Sequence, residues 1–421
     1  MNINIDKLLE GMKCECGKLH TCNIETVIIR SGAIEELRKL TENYRNILIV
    51  ADSNTYKTCG DKVCALLGEK TEKLLVYEGD GILVPNEEAI EKMKKCVSEN
   101  TDLIIGIGSG VIQDLCKYVS FAMKLKYFIV ATAPSMDGYA SKGAALIIGN
   151  MKMTYDAHVP AAIIGDTDIL KNAPLDMMKS GYGDIIGKYS CLNDWKLSRL
   201  INGEYFCDFV YNLTYEMLLK TKDLGRALLN REEGAVQTLM EALVGVGIAM
   251  AYVGNSRPAS GSEHHMSHFF EVTGIMHHEK YFMHGIDVAY SAVYTQGLRE
   301  QILALDKPRQ MPFDKEEWTQ RITQIYGPAA EGVIKLQNSV GSYEISRYDV
   351  YAKNWKAIKA VLREAPSRDI LVRLLKDIEL DVADFEKTYG AEKIQNAIWF
   401  AKDLKDRYTV LRLYYDLFYE I

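Results

Sequence analysis

The stretch LIIGIGSGVIQD, residues 103–114, decides the fold of this chain. A β-branched run leads into three glycines, at positions 106, 108 and 110, and the chain then continues as an apparent helix carrying Asp114. Glycines at a strand-to-helix turn let a phosphate approach the backbone, where N–H groups and the helix dipole attract it. Position 111, where a dinucleotide-binding pattern has its third glycine, is Val111. The stretch therefore predicts a strand–turn–helix unit that either binds a nucleotide or is structural.

Strands and helices alternate around this turn from residue 24 to about residue 170. Such alternation is typical of βαβ units, so we expect a Rossmann-like α/β domain with a mostly parallel sheet over residues 1–173. The predicted strands are Glu25–Ile29, Asn46–Ala51, Lys73–Tyr77, Asp102–Ile107, Tyr127–Ala131, Ala144–Gly149 and Ala161–Ile164. The predicted helices between them include Ala33–Tyr44, Asn86–Glu99 and Val111–Lys124.

The sequence beyond Pro174 changes to long periodic stretches with few β-branched clusters, which predict an all-α domain over residues 174–421. Pro174 marks the predicted boundary, because a proline in the first turn of a helix loses no needed hydrogen bond. The predicted helical stretches are Leu175–Ile201, Tyr205–Leu224, Gly234–Gly254, Lys315–Tyr326, Asn354–Glu364 and Ala391–Glu420. No repeat of fixed period occurs, which disfavours a helical-repeat scaffold.

The composition of the 421 residues, 48% hydrophobic and 25% charged, indicates a globular protein. Its 50 Lys and Arg against 57 Asp and Glu give a net charge of −7, so we expect neither nucleic acid nor an anionic membrane as partner. The longest uncharged apolar stretch, Ala242–Ser256, is shorter than the roughly 20 residues needed to cross a bilayer. The N-terminus lacks a signal-peptide pattern, so we expect a cytoplasmic protein.

A cluster of soft ligand types, Cys14, Cys16, His20 and Cys22, lies near the N-terminus. Structural zinc sites usually combine a C-x2–4-C pair with a second pair farther along, and a C-x-C step makes closure on one metal harder. We therefore interpret this segment as a turn around Gly17 that leads into the first strand. Other cysteines lie in apolar periodic stretches and are expected to be core thiols: Cys64, Cys96, Cys116 and Cys191.

Histidines are concentrated in one segment, since six of the eight fall within twenty-one residues. His264 and His268 are four residues apart and share a face of a helix, and His284 begins a new apolar helix where it offers a third ligand. The glutamate Glu263 precedes His264, so this is not the H-E-x-x-H motif of metalloproteases. The other three histidines of this segment are His265, His277 and His278, and we expect His277 and His278 to lie in a solvated loop.

A catalytic metal needs about three protein ligands and an open position, and Asp184 is the candidate for the carboxylate. It lies in a helix with glycines at positions 181, 183 and 187, which destabilise a helix unless something approaches its backbone closely. The alternative is a loose helix that packs against the sheet, with Asp184 paired to Lys188 at i,i+4. We favour the metal, because the acid and the histidines both fall in the otherwise apolar helical half.

Two polar segments follow predicted strand ends, where open α/β sheets hold ligands. Asp52 is placed to accept from a ribose or base, or else caps a helix or turn. The loop Ala133–Ser141 offers Ser135, Asp137 and Ser141 to a substrate or a nicotinamide, or else is a plain surface loop.

The chain resembles the sn-glycerol-1-phosphate dehydrogenases, particularly their bacterial AraM-type branch, in segments that cover both halves. These are GSGVIQD (108–114), APSMDGYAS (133–141), SGYGDIIGKYSCLNDWKLS (180–198) and SRPASGSEHHMSHFFE (256–271) followed by MHG (283–285). That family belongs to the superfamily of dehydroquinate synthases and metal-dependent glycerol and alcohol dehydrogenases. The resemblance implies a dehydroquinate synthase-like fold and a homodimer.

The resemblance also implies site residues. The metal ligands would be Asp184, His264 and His284, with His268 and Asp137 as catalytic residues that contact the substrate together with Asp184. The cofactor, NAD(H) or NADP(H), would lie on Asp52, Gly108, Gly110, Val111, Ile112, Gln113, Asp114, Thr132, Ala133, Pro134, Ser135 and Ser141.

Members of the family reduce dihydroxyacetone phosphate to sn-glycerol 1-phosphate. One divalent metal, zinc or nickel with iron also possible, would act as a Lewis acid on the ketone in a cleft between the domains. Lys188, Arg257 and His265 are candidate donors to the substrate phosphate. A glycerol dehydrogenase or a 3-dehydroquinate synthase-like enzyme on the same fold stays an alternative, as does a metal- and nucleotide-binding sensor without turnover.

Overall fold

The structure of the protein, a computed structural model, describes residues 4–79, 83–149 and 151–420. It divides into two units. The first comprises Met1–Tyr182 and Leu219–Ser256, and the second comprises Gly183–Leu218 and Arg257–Ile421. The first unit contains the sheet, and the second is helical.

Within the described residues the strands are β1 (Met12–Lys13), β2 (Leu19–His20), β3 (Thr26–Arg30), β4 (Ile47–Asp52), β5 (Thr71–Tyr77), β6 (Leu103–Gly108), β7 (Lys126–Ala131), β8 (Gly143–Ile148), β9 (Met151–Asp156) and β10 (Ala162–Asp166). Six of them form one sheet in the order β3-β10-β7-β6-β4-β5, and every neighbouring pair is parallel. The pairs β1–β2 and β8–β9 form two small antiparallel hairpins.

The helices up to Ser256 are α1 (Ile5–Leu9), α2 (Leu37–Leu40), α3 (Ser53–Leu67), α4 (Glu87–Lys94), α5 (Gly110–Met123), α6 (Thr167–Leu170), α7 (Leu175–Ile186), α8 (Lys188–Asn202), α9 (Asp208–Thr221), α10 (Gly225–Leu229) and α11 (Glu233–Val253). The later helices are α12 (Ser262–His277), α13 (His284–Ala304), α14 (Lys315–Tyr326), α15 (Ala330–Ser339), α16 (Tyr348–Leu362), α17 (Arg368–Asp377), α18 (Val382–Phe400) and α19 (Val410–Phe418). Short 3₁₀ segments are Ala33–Glu36, Gly68–Lys70, Asp137–Ala140, Gly327–Ala329 and Ala401–Leu404.

The central strands β4 and β6 are apolar along their length because helices cover both faces of the sheet. Alternate residues point to opposite faces: Ile49 packs in one core cluster with Val63 of α3, and Val50 packs in another with Leu115 of α5. The sheet is thereby buried on both faces, and polar side chains collect where the strands end.

The predicted α/β organisation of the first half is confirmed. All seven predicted strands are present within two residues at each end. The strand β9 was not predicted; it pairs with β8 in a hairpin. The predicted helix Ala33–Tyr44 is shorter, because a 3₁₀ turn occupies its start and α2 ends at Leu40.

Two long predicted helices are interrupted. The stretch Leu175–Ile201 breaks at Gly187 into α7 and α8, and Ala391–Glu420 contains the end of α18, a 3₁₀ turn and α19. The helix α18 itself bends at Gly390, whose φ is +72°. The apolar period continues across each break because the segments on both sides bury apolar residues, so periodicity alone did not reveal the interruptions.

One helix in the described part of the chain, α11, is long and apolar enough to cross a membrane by length and composition. However, 83% of its apolar 18-residue window is buried inside the structure, which is typical of a core helix.

Candidate metal centre and nucleotide site

Three predicted metal ligands lie together in the second unit. Asp184 is near the end of α7, His264 is in the first turn of α12, and His284 is the first residue of α13. One ligand atom of each lies within 4.8 Å of the others, and Oδ1 of Asp184 is 3.4 Å from Nε2 of His264. One carboxylate and two imidazoles in this arrangement fit a divalent metal with a coordination position left open.

Glycines bring the Asp184 segment close to α13. A Cβ on Gly183 would lie 2.3 Å from the carbonyl oxygen of Gly285, and a Cβ on Gly187 would lie 2.4 Å from Cγ1 of Val288. A side chain at either position would push the two segments apart, so the glycines set the distance between Asp184 and the start of α13. The prediction that these glycines permit a close backbone approach is confirmed.

Lys188 also contacts the candidate centre. Its Nζ donates to Oδ1 of Asp184 at 2.8 Å and to the carbonyl oxygen of Ala259 at 3.0 Å, and both charged side chains are fully buried. The i,i+4 pair considered as an alternative to the metal is therefore present beside the histidines. Burial raises the pKa of Asp184, but the charge of Lys188 and the hydrogen bond to His264 outweigh it and hold that pKa well below its usual range. Asp184 is thus available as a carboxylate.

Glu263 orients His264. Its Oε1 lies 2.6 Å from Nδ1 of His264 and accepts the N–H of Gly261 at 3.0 Å. A carboxylate on one ring nitrogen fixes the tautomer and directs the other nitrogen to a metal. Burial raises the pKa of Glu263, yet the hydrogen bond to His264 brings it below its ordinary value. Burial lowers the pKa of His264, but hydrogen bonds to Asp184 and Glu263 raise it overall.

His268 lies at a more open edge of the same cluster. Its ring centroid is 5.4 Å from that of His284 and 6.3 Å from that of His264, and its side chain is 25% exposed. Glu271, one turn further along α12, forms a second group of ligand-type side chains with His268 and His284. The hydroxyl of Ser267 lies 3.2 Å from Nδ1 of His284.

Glu263, Ser267 and Glu271 also belong to this cluster and were not predicted from the sequence. The available signal was position: Glu263 adjoins His264, Glu271 follows His268 by three residues on one helix face, and Ser267 precedes His268.

The predicted phosphate donors have different surroundings. Lys188 binds Asp184, and the buried Arg257 donates to the carbonyl oxygen of Tyr408 at 2.6 Å and pairs with Glu204 at 2.9 Å. His265 is fully buried, and neither ring nitrogen has a hydrogen-bond partner among the described residues. Burial, followed by the charges of Arg407 and other nearby cations, holds the pKa of His265 well below its usual value, so the ring is neutral. The predicted loop residues His277 and His278 are exposed at the end of α12.

The strand–turn–helix unit predicted at residues 103–114 is confirmed in the first unit, where β6 ends at Gly108 and α5 begins at Gly110. A Cβ on Gly106 would lie 2.8 Å from Sγ of Cys116, and a Cβ on Gly108 would lie 2.6 Å from Cβ of Ile112. A Cβ on Gly110 would meet nothing closer than Met136 Cγ at 3.9 Å. The first two glycines therefore serve the packing of α5 on β6, whereas Gly110 leaves space at the start of the helix.

The side chains that follow the turn belong largely to the interior. Ile112 is buried, and Nε2 of the buried Gln113 donates to the hydroxyl of Tyr127 at 3.1 Å and to the carbonyl oxygen of Tyr139 at 3.0 Å. Asp114 lies 3.4 Å from Nζ of Lys117. With Val111 half-buried, this turn offers a phosphate its backbone N–H groups.

The loop Ala133–Ser141 is tied to the glycine turn and largely buried. The hydroxyls of Ser109 and Ser135 are 2.5 Å apart, and the N–H of Thr132 donates to the carbonyl oxygen of Gly108 at 3.1 Å. Close packing extends to Pro134, because a Cβ on Gly181 would lie 1.9 Å from its carbonyl oxygen. The loop is therefore fixed at the carboxyl end of β7.

Lys117 of α5 and Gly247 of α11 contact the second half of this loop. Buried Lys117 donates to the carbonyl oxygens of Gly138 at 3.1 Å and Gly143 at 2.8 Å, and to the hydroxyl of Ser141 at 3.3 Å. A Cβ on Gly247 of α11 would lie 2.9 Å from the carbonyl oxygen of Asp137, so glycine permits this contact. Asp137 itself is buried.

Asp52 caps α3. Its Oδ1 accepts the N–H groups of Asn54 at 2.8 Å and Thr55 at 2.9 Å, and its own N–H donates to the hydroxyl of Thr55. Asp52 also lines a cavity of about 290 Å³ beside Tyr77 and Asn86. The capping alternative is thus present, and the same residue lines a cavity.

Comparisons with known proteins agree with these features. Residues 28–174 match the family described as iron-containing alcohol dehydrogenase. The chain is 28% identical over 407 residues to the glycerol-1-phosphate dehydrogenase (NAD(P)+) of Bacillus licheniformis, covering 95% of this chain and 91% of that one. It is 32% identical over 298 residues to the enzyme of that name from Geobacillus thermodenitrificans, covering 69% of this chain and 74% of the relative.

A solved structure supports the fold. The sulfoacetaldehyde reductase from Bifidobacterium kashiwanohense, in complex with NAD+, superposes with a TM-score of 0.60 at 12% identity, covering 92% of each chain. This similarity confirms the predicted fold class, a parallel α/β part followed by a helical part. The sequence identities confirm the resemblance stated above: the chain belongs to the glycerol-1-phosphate dehydrogenase family.

Proposed function

We propose that the protein reduces dihydroxyacetone phosphate to sn-glycerol 1-phosphate with NADH or NADPH and one divalent metal. The observation that carries this proposal is the set of Asp184, His264 and His284, whose ligand atoms lie within 4.8 Å of one another, with Asp184 and His264 buried and His284 half-buried. Residues 1–173 would form the nucleotide-binding domain and residues 174–421 the metal- and substrate-binding domain. The resemblance further leads us to propose a homodimer.

The cofactor would bind at the carboxyl ends of β4, β6 and β7. The N–H groups at the start of α5, beside Gly110, would receive the pyrophosphate. The fixed loop Thr132–Ser135 and Ser141 would flank the nicotinamide half, and Asp52 would lie toward the adenosine. This assignment is supported by the open space at Gly110 and the cavity at Asp52.

When bound, the divalent ion supplies Lewis-acid polarisation of the ketone as hydride arrives from the nicotinamide. Asp184 would contribute the anionic ligand, and the hydrogen bond that His264 Nδ1 donates to Glu263 would keep the second nitrogen of His264 directed at the site. His268, which is more exposed than Asp184 and His264, would orient the substrate hydroxyls or deliver the proton to the product oxygen. Asp137 would assist in binding the substrate.

The substrate phosphate requires cationic or N–H donors. Lys188 and Arg257 already hold protein oxygens, whereas His265 keeps both ring nitrogens without a hydrogen-bond partner among the described residues. His265 is fully buried and neutral, so it would contribute at most one N–H and no charge, and the three predicted donors stay candidates without a ranking. One carboxylate and two imidazoles suit zinc, nickel and iron alike, so we propose zinc or nickel on the resemblance alone.

The test follows oxidation of NADH and NADPH by absorbance, with dihydroxyacetone phosphate and free dihydroxyacetone as parallel substrates. The protein is first stripped with a chelator and then reloaded with Zn²⁺ or Ni²⁺. We expect metal-dependent turnover of the phosphorylated ketone and a product of the sn-1 configuration by chiral analysis. Turnover of free dihydroxyacetone alone would instead indicate a glycerol dehydrogenase, and metal-independent turnover would contradict the proposed centre.

A further inference from the structure

The segment from Met12 to His20 folds as a tight hairpin in the first unit. The strands β1 and β2 pair with Met12 opposite His20, the N–H of Cys14 donates to the carbonyl oxygen of Lys18, and that of Gly17 donates to Cys14, both at 3.0 Å. Gly17 has a φ of +86°, a conformation that favours glycine. The predicted turn around Gly17 is confirmed, and it reverses the chain between Cys16 and His20.

This reversal brings three soft ligands together. One donor atom from each of Cys14, Cys16 and His20 lies within 4.8 Å of the other two, and Sγ of Cys16 is 3.4 Å from Nε2 of His20. With zinc–sulfur and zinc–nitrogen bonds of about 2.3 and 2.0–2.1 Å, sulfur and nitrogen ligands of one tetrahedral ion lie roughly 3.5 Å apart. The hairpin thus overcomes the geometric difficulty expected of a C-x-C step.

His20 is held in the orientation that a metal ligand requires. The ring is fully buried, its Nδ1 lies 3.1 Å from the carbonyl oxygen of Tyr252, and it stacks on the Tyr252 ring with centroids 5.1 Å apart. A carbonyl partner makes Nδ1 the protonated nitrogen and leaves the lone pair of Nε2 directed at the sulfur atoms. The Tyr252 hydroxyl donates to the carbonyl oxygen of Leu8, which anchors the preceding helix as well.

Cys22, the fourth member of the sequence cluster, belongs to the core instead. It is buried beyond β2 and is not part of the group formed by Cys14, Cys16 and His20. Burial raises the pKa of the Cys22 thiol to about 11. This cysteine is a natural control for the other two.

We propose that Cys14, Cys16 and His20 bind a zinc ion at a second, structural site that the catalytic reaction does not use. Binding replaces the two thiol protons by two sulfur–zinc bonds and releases two protons to solvent, with no change of oxidation state. A water molecule or a fourth side chain completes the tetrahedron. The ion would pin the N-terminal hairpin to the end of α11, where Tyr252 holds His20.

Cobalt substitution tests the proposal on the full chain under reducing conditions. A thiolate ligand gives Co²⁺ a strong charge-transfer absorption in the near ultraviolet, and the centre at Asp184 contains no sulfur. We expect this absorption in the unmodified protein and its loss in the Cys14→Ser/Cys16→Ser variant, while Cys22→Ser and His264→Ala retain it. Mass spectrometry should find two metal ions per chain in the unmodified protein and one in the serine double variant.

A protection assay covers the case in which the double variant fails to fold. Zinc added to the unmodified protein should slow alkylation of Cys14 and Cys16 at least tenfold in peptide mapping, with no effect on Cys22. Absence of the charge-transfer band, or equal alkylation with and without zinc, would overturn the proposal. Neither readout depends on turnover, so failure of the proposed reaction would not be confused with failure of this site.

Discussion

The candidate metal centre and the glycine turn differ in the groups that they offer to a ligand. At the metal centre, ionised side chains contact one another in a buried space: Asp184 between Lys188 and His264, and Glu263 on the other side of that ring. At the turn, side chains such as Gln113 make hydrogen bonds inside the protein. The start of α5 therefore offers a ligand backbone N–H groups. Ligand binding at the metal centre would therefore depend on the charges of side chains. At the turn it would depend on the space that the glycines leave and on backbone N–H groups.

This difference predicts different consequences of substitution. A change at the metal centre should alter metal affinity and its pH dependence, because the groups there share charge and protons. A change at the turn should alter packing or the approach of a ligand, with little dependence on pH. The following substitutions test this distinction, beginning with the largest expected effect.

Replacing His284 with alanine removes one of three candidate ligands. A Lewis-acid metal contributes several kcal/mol to the transition state, so we expect kcat/KM to fall by about 10³-fold or more. His277→Ala, at an exposed position on the end of α12, is the matched control and should stay within about twofold. Equal activity of the two variants would remove the metal centre from the mechanism.

Replacing Glu263 with glutamine removes the charge that orients His264. We expect metal affinity to fall by about 10–100-fold, as for other partners of ligand histidines, measured by competition with a chromophoric chelator. Glu279→Gln is the control, because Glu279 pairs with Lys393 at the exposed end of α12. Unchanged affinity in Glu263→Gln would mean that packing alone orients the ring.

Metal affinity should decrease as pH falls through the pKa of His264. That pKa is raised in the metal-free protein, so the proton must leave before the metal binds, and affinity should drop about tenfold per pH unit below it. The raised pKa of His264 also affects the stability of the metal-free protein. Its contribution is fully present at pH values below the unfolded-state pKa and is lost as the pH rises through the folded-state pKa. Chelator competition across pH measures the first effect, and Glu263→Gln should shift its onset to lower pH. An affinity independent of pH would contradict this account.

Two of the three glycines at the turn, Gly108 and Gly110, should separate an effect on stability from an effect on cofactor binding. Gly108→Ala places a Cβ 2.6 Å from Ile112 and should cost about 1–3 kcal/mol in the free energy of unfolding by urea. Gly110→Ala should leave that free energy within about 0.5 kcal/mol and raise KM for the reduced nicotinamide cofactor. The reverse result would show that Gly110 is structural.

Asp52 carries the smallest expected effect. Asp52→Ala removes the cap of α3 and should cost about 1 kcal/mol of stability, whereas Asp52→Asn keeps a capping oxygen and should cost little. If the carboxylate also contacts the ribose, Asp52→Asn raises KM for NADH without loss of stability. An unchanged KM would restrict Asp52 to capping.

Local patterns were sufficient to predict much of the fold and the candidate ligands. Short apolar runs that alternate with amphipathic stretches identified β4 and β6. The four-residue spacing of His264 and His268 placed them on one helix face. Both properties depend on regular backbone periods, which are visible in one sequence. The close approach at Gly183 could be anticipated because glycine in a helix requires a reason.

Features that depend on chain reversal or on side-chain rotamers could not be predicted. The break at Gly187 lies within a continuous apolar period, and the partner of β9 is known only once the chain turns back on β8. The contact of Glu263 with His264 depends on the conformations of adjacent side chains, which spacing does not determine. The assembly of Cys14, Cys16 and His20 likewise requires the left-handed conformation of Gly17.

The position of Lys188 affects the order of two processes, folding of the chain and uptake of the proposed metal. Without an ion, its ammonium group neutralises Asp184, so this buried carboxylate is not left uncompensated at a cost of several kcal/mol. The chain can therefore complete its fold before a metal arrives, unlike small domains that are unfolded without zinc. Uptake of the proposed metal would then be a step separate from folding.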